Sequence, residues 1–323
     1  MKAMVQDRYG PPDVLRLRDV EVPAPADGEV LVRVHAAGVD PGVWHLTTGL
    51  PYAVRLATGL RRPRHRVPGL DLAGVVEAVG PDVTQFAPGD EVFGTGAGSY
   101  AEYAVAPARK LAPKPRNLTF AQAAAVPISG QTALHAIRGA GGVRAGQQVL
   151  VIGAGGGVGS FAVQLASALG ARVTGVCGPT KLDLVRSLGA DDVVDYTRTD
   201  ITDGGRRYDV IVDTGGNRSL SHLRQALAPK GTLVLVGGEA SGGRWLQGFD
   251  RQLRALLLSP FVNGRLLPLV SPESAAHLAA LTELVEAGKV MPVVDRVWPL
   301  AEAADALRHI AAGHARGKAV ITI

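Results

Sequence analysis

The run Gln148-Val149-Leu150-Val151-Ile152-Gly153-Ala154-Gly155-Gly156-Gly157-Val158-Gly159 decides how this chain folds. Residues 149–152 are all apolar and mostly β-branched, which suits a short strand buried on both faces. Glycines end that strand. Beyond them Val158, Phe161, Ala162, Leu165 and Leu169 recur at helical spacing and leave one apolar face for a sheet. The N–H groups that open such a helix, with the positive end of its dipole, face whatever lies beyond the strand's carboxyl edge. Phosphate is the natural guest. The best frame reads Ala154-x-Gly156-x-x-Gly159, with alanine where the dinucleotide fingerprint G-x-G-x-x-G has its first glycine. Taken alone, the same glycines would also serve a turn that only lets helix and sheet approach closely.

A chain of 323 residues is long enough for two domains, each with its own core. Hydrophobic residues at 46% and charged residues at 20% argue against disorder. The net charge of +5 is spread along the chain and is not read as nucleic-acid binding. The densest basic run, Arg61, Arg62, Arg64, His65 and Arg66, is interrupted by Pro63 and reads as a loop. Such a loop is either simply solvated or attracts an anionic substrate or a phosphate-bearing carrier. With Cys177 as the single cysteine, no disulfide within the chain and no cysteine-based structural zinc site are expected, which points to the cytoplasm. The expectation is a protein neither secreted by a signal peptide nor spanning a membrane.

Up to about residue 115 the patterns are short and β-like, at 30–34, 74–79, 91–94 and 101–105, with turns such as Pro88-Gly89-Asp90 between them. From about residue 121 the grammar changes to alanine-rich helical stretches. After the glycine turn, strand and helix alternate through 172–176, 182–188, 192–196, 209–213, 220–228 and 232–236, the signature of a parallel sheet covered by helices. The apolar segments 253–258 and 266–270 are most simply buried core. A β-like end at 293–297 and 319–323 encloses a helix at 301–311 and suits the first domain better than the second. The expected division is 1–120 with 290–323 against 121–289, in an α/β chain.

These residues carry a family resemblance. Met1-Lys2-Ala3-Met4, Tyr9-Gly10-Pro11-Pro12, Gly28-Glu29-Val30-Leu31-Val32-Arg33-Val34, Pro88-Gly89-Asp90-Glu91-Val92 and Gly317-Lys318 resemble landmarks of the medium-chain dehydrogenase/reductase superfamily. The segment Gly146-Gln147-Gln148-Val149-Leu150, continuing through the glycines to Gln164 and Ser167, resembles the signature of its zinc-independent quinone oxidoreductase (zeta-crystallin-like) branch. The resemblance runs end to end. It implies a GroES-like β-barrel domain interrupted by a doubly wound Rossmann domain, an active site in the cleft between them, and a homodimer. It also implies cofactor contacts at Thr132, Ala154, Gly156, Gly157, Val158, Gly159, Cys177, Lys181, Tyr196 and Gly237.

Zinc-dependent relatives have a cysteine ligand where this chain has Asp40, and Gly-His-Glu where it has Gly69-Leu70-Asp71. Leu70 cannot ligate a metal, so no zinc is expected, and Asp71 is expected to cap or bond backbone in a turn. An NAD site places an acid at the end of its second strand, whereas this chain reads Val176-Cys177-Gly178-Pro179-Thr180-Lys181. A carboxylate there would repel a 2′-phosphate and Lys181 would attract one, so NADPH is expected. Tyr196 matches an aromatic residue that approaches the same phosphate in NADPH-using relatives. Quinone reductases commonly carry asparagine and tyrosine where this chain has Asp40 and His45, which could form an acid/base pair or serve only packing. The expected activity is hydride transfer to a small-molecule quinone or α,β-unsaturated carbonyl, with no Lewis acid required. The rivals are a biosynthetic tailoring oxidoreductase that uses Asp40 and His45 on another activated double bond or carbonyl, and a non-catalytic NADPH-binding protein.

Overall fold

The computed structural model describes residues 1–237, 245 and 249–323. The chain separates into two compact units. One comprises Met1–Gln131, Pro272–Gly288 and Pro292–Ile323, and the other Thr132–Ser271 with Lys289–Met291. Segments 121–131 and 272–288, expected with the second domain, make their contacts in the first unit. The reason lies in side chains: Asn117 donates to the Val285 carbonyl, and the Gln131 amide oxygen accepts from Ser274 N–H at 2.8 Å.

The second unit holds six parallel strands in the order Asp192–Asp195, Arg172–Cys177, Gln148–Ile152, Tyr208–Asp213, Leu227–Leu235, Arg265–Pro268. Numbered along the chain this is 3-2-1-4-5-6, the doubly wound arrangement, and its order reverses beside Gln148–Ile152. Val149, Leu150, Val151 and Ile152 are all buried, as a strand covered on both faces requires. Helix Gly157–Ala168 follows the glycines and buries Phe161, Ala162 and Leu165, each contributing about 1.5–3 kcal/mol for the larger side chains.

In contrast to the buried-core expectation for 253–258, Leu253, Leu256 and Leu257 are more than half exposed on helix Phe249–Leu258. The face turned inward carries Arg251 and Ala255 instead. Arg251 is drawn in by the buried carboxylate of Asp213, and a charge pair in the interior dictates the helix's rotation. Leu266 is buried as expected, whereas Val270 is exposed.

The first unit is built on the 11-residue strand Glu29–Val39. Its first half pairs with Tyr103–Pro107, its last residues pair with the C-terminal strand Lys318–Thr322, and Asp71–Val79 runs along its other edge. Register shifts near Leu31 and Val34 bend it, so one strand serves partners that a flat ladder could not. Val30, Val32, Val34, Leu72, Val76 and Val92 fill the interior. Among the described residues no helix is long and apolar enough to cross a membrane.

Candidate active site

The glycine turn sits where the strand order reverses. The N–H groups of Gly153 and Ala154 both donate to the Val176 carbonyl at 3.0 Å, which ties the turn to the second strand. Ala154 is fully buried and faces Gly175, so the alanine in the first fingerprint position is a packing residue. A Cβ on Gly159 would collide with the Gly153 carbonyl; the helix can start this close to the strand only because that atom is missing. Gly156 differs. A Cβ there would meet only the Gly153 oxygen, at 3.3 Å, a tight contact short of a collision. Gly156 caps helix Gly157–Ala168 without any side-chain hydrogen bond, and Gly157 and Val158 are half-buried. The first-turn N–H groups thus form a cradle of the polarity that suits a pyrophosphate.

The second strand, Arg172–Cys177, ends beside this cradle. Its last residue, Cys177, is buried, and burial raises its thiol above the ordinary value although Lys181 pulls the other way. Pro179–Lys181 forms a short turn, and the Lys181 stem lies across Gly155, its Cδ 2.8 Å from where a Cβ would stand. Tyr196 is 54% exposed, with its ring edge 3.6 Å from the corresponding position on Gly178. Gly155, Cys177, Lys181 and Tyr196 are therefore brought together.

One acid stands beside the end of the second strand. Asp195, on the adjacent strand, pairs in register with Cys177. Its carboxylate is turned away, accepting from the Thr197 hydroxyl at 2.7 Å and N–H at 2.9 Å, which hold it below the usual range. Thr132 is half-buried in helix Pro127–Leu134, and Gly237 follows the fifth strand with its N–H directed at the Asp213 carbonyl, 3.3 Å away. Asp213, which the sequence did not single out, is fully buried, accepts from the N–H groups of Gly215 and Gly216, and is paired with Arg251. It shapes the turn after the fourth strand, at the same edge of the sheet as the glycines.

In the first unit, helix Pro41–Thr48 begins with proline at its first position and ends on Gly49 in the left-handed conformation, which lets the Gly49 N–H close on the His45 carbonyl. Asp40 occupies the cap position, yet its side chain makes no capping bond. Lys318 takes it instead: the buried ammonium donates to Asp40 and, at 3.1 Å, to Asp71. The other Asp71 oxygen accepts from Ile128 N–H at 2.9 Å. Asp71 thus bonds backbone, as expected, but at the start of another helix and not in its own turn. Burial, reinforced by the Asp40 charge, lifts Asp71 well above the usual carboxylate range. Burial alone would depress Lys318, but the two carboxylates outweigh it and raise it. The neighbouring Tyr100 phenol is likewise pushed up by burial and by both acids.

His45 is half-buried, with Nδ1 2.6 Å from the Leu50 carbonyl oxygen. A carbonyl only accepts, so Nδ1 donates its proton in this contact. A catalytic zinc does not fit this unit. The Lys318 ammonium stands between the two carboxylates that a metal would need, and Leu70 packs in the apolar core. Among the described residues no group of three or more His, Cys, Asp or Glu side chains is arranged to hold a metal ion.

Two family models match the chain, one described as "Alcohol dehydrogenase GroES-like domain" over residues 26–116 and one as "Zinc-binding dehydrogenase" over residues 188–321. Human "Quinone oxidoreductase" is 34% identical, covering 100% of this chain and 98% of that protein. The mouse protein named "NAD(P)H oxidoreductase RTN4IP1, mitochondrial" is also 34% identical, covering 100% and 89%. A mycobacterial protein solved in complex with NADPH superposes with a TM-score of 0.85 at 28% identity, covering 100% of both chains. With the glycine cradle, the doubly wound sheet and the GroES-like unit, these likenesses identify the chain as an NAD(P)H-dependent oxidoreductase of the medium-chain dehydrogenase/reductase superfamily, in its zinc-independent quinone oxidoreductase branch.

Proposed function

We propose that this enzyme uses NADPH to reduce a quinone or an α,β-unsaturated carbonyl without a metal. The observation that carries the cofactor choice is the Lys181 stem lying across Gly155 at the edge of the phosphate cradle, with Cys177 in the place where an NAD site has its acid. The NADPH bound by the mycobacterial relative supports the same reading. When bound, NADPH supplies a hydride to an electron-poor carbon whose conjugated oxygen takes up the charge.

The chain's own residues account for holding, orienting and proton supply. First-turn N–H groups at Gly157, Val158 and Gly159 hold the pyrophosphate, while Lys181 and the exposed Tyr196 take the 2′-phosphate. Thr132 and Gly237 border the cofactor. His45, its ring held by the Nδ1 bond to the Leu50 carbonyl, supplies the proton. Asp40, buried and bound to Lys318, acts through the placement of His45's helix and not by proton transfer to substrate. In this reading the enzyme works as a homodimer in the cytoplasm.

The deciding measurement is a fluorescence titration of NADPH and NADH on the parent and on Lys181→Ala. NADPH should bind at least tenfold more tightly than NADH, and the variant should lose most of that preference, since a charge-assisted phosphate contact contributes about 1.5–3 kcal/mol. Equal affinities in the parent would overturn the cofactor assignment. Absence of NADPH oxidation across quinones and enones would overturn the substrate assignment.

A further inference from the structure

His45 lies near the end of helix Pro41–Thr48, and the bond that orients its ring runs to the Leu50 carbonyl, an atom beyond the helix. A carbonyl in a connecting segment has no helical ladder to aim it, so its direction depends on how the peptide before it is held. That peptide, Gly49–Leu50, is pinned at both of its polar groups. The Leu50 N–H donates to Thr48 Oγ1 at 3.3 Å, and the Thr48 hydroxyl donates to the Trp44 carbonyl at 2.9 Å. On the opposite side of the same peptide plane, Arg55 Nε donates to the Gly49 carbonyl at 2.9 Å. The chain turns at this point with Gly49 at φ 63°, so without these two bonds the peptide could swing.

Arg55 is itself firmly seated. Half-buried, it places its guanidinium over the rings of Tyr9 and Tyr52, 4.6 and 4.8 Å from their centroids. A planar guanidinium can lie on aromatic faces and still donate from its edge, which an ammonium cannot do equally well. The packing is close: a Cβ on Gly49 would stand 2.6 Å from the Tyr9 ring and 2.7 Å from Arg55 Nε. Tyr9 is fastened in turn. Its hydroxyl donates to the Gly59 carbonyl at 2.7 Å and lies 2.8 Å from Thr58 Oγ1, while the Gly10 N–H donates to the Thr47 carbonyl at 3.2 Å. The N-terminal segment, the end of the helix and the segment that follows it therefore meet at Arg55.

We infer that Arg55 is the positioning residue for His45: held on Tyr9 and Tyr52, it fixes the Gly49–Leu50 peptide and with it the Leu50 carbonyl that orients the imidazole. The inference rests on the reading of His45 as proton donor and adds the device that aims it. Arg55 acts through two successive carbonyls and not on the substrate. Proton transfer needs the ring within hydrogen-bond reach of its target, and a misplacement of ~1 Å can cost about a hundredfold in rate.

The experiment compares the parent with R55M and R55K by two readouts. The first is the nitrogen spectrum of enzyme carrying ¹⁵N-histidine, with the His45 signals assigned as those missing from H45F. In the parent Nδ1 of His45 should carry its proton; in R55M it should become partly unprotonated, and in R55K less so. The second readout is steady-state turnover with NADPH and an enone. R55M should lower kcat by about tenfold to a hundredfold with the KM for NADPH unchanged, and R55K should recover part of the loss. In an H45F background R55M should cost nothing further, because both substitutions remove the same function. An undisturbed Nδ1 proton in both Arg55 variants, or an equal further loss in H45F/R55M, would overturn the inference. R55K carries the same readouts should R55M not fold. If Nδ1 loses its proton in R55M while turnover stays at the parental level, the proton-donor reading of His45 fails and the positioning of its ring by Arg55 stands.

Discussion

Replacing Lys318 by methionine would keep the length of the side chain and leave Asp40 and Asp71 buried with no cation between them. Breaking a buried ion pair by removing one partner costs about 3–5 kcal/mol, because the remaining charge is neither solvated nor compensated. Here the ammonium serves two carboxylates, Asp71 has no exposed surface and Asp40 has 3%, so the upper half of that range is expected. For a unit of this size a loss of about 4 kcal/mol lowers the melting temperature by roughly 8–16 °C. The sign of the pH dependence follows from Asp71. Its folded value is raised, so its contribution to stability is full below the unfolded value of about 3.9 and declines as the pH climbs towards the folded value. The decline approaches about 1.4 kcal/mol per pH unit for each proton the folded state retains, and Lys318→Met should steepen it because a second carboxylate must then stay protonated. Asp71→Asn should abolish the slope contributed by Asp71, and the double variant K318M/D71N should keep the loss that comes from leaving Asp40 buried without a cation. The assay is urea and thermal unfolding between pH 5 and 8. A Lys318→Met protein within about 1 kcal/mol of the parent, with the same pH slope, would refute the reasoning, since that is the range of an exposed ion pair.

Other substitutions test the cofactor cradle, the proton donor and the second buried pair. Gly156→Val should fold like the parent and lose roughly tenfold to a hundredfold in NADPH affinity, because its side chain enters the phosphate space; Gly159→Ala should instead cost about 1–3 kcal/mol of stability through its clash with the Gly153 carbonyl. Titration and unfolding on the two variants separate these effects, and a destabilised Gly156→Val with normal affinity would contradict the assignment. His45→Phe should lower kcat by about 10²-fold or more and leave NADPH binding intact, whereas unchanged turnover would exclude His45 as donor. Arg251→Met should destabilise by about 3 kcal/mol or more, as Asp213 loses its buried partner, and unfolding in urea would show it.

The sequence by itself determined the backbone-built part of this protein. A β-branched run, a glycine turn and an apolar helical face are local patterns, and a phosphate cradle made of N–H groups needs only those three in succession. The missing acid after Val176 and the leucine at position 70 were equally legible, because each is the presence or absence of a chemical group at a fixed offset. Only tertiary structure decided which charges meet. Lys318 is 278 residues from Asp40 and 247 from Asp71, and no periodicity carries that information; it follows from the C-terminal strand pairing with the end of Glu29–Val39. This encounter turned Asp40 from a candidate acid beside His45 into a buried anchor of its helix. In the same way, the apolar residues 253–258 read as core until Asp213, 38 residues before Arg251, took that arginine into the interior and turned the leucines outward. Local pattern fixes what an element is, whereas the cost of an unpaired buried charge fixes which way it faces.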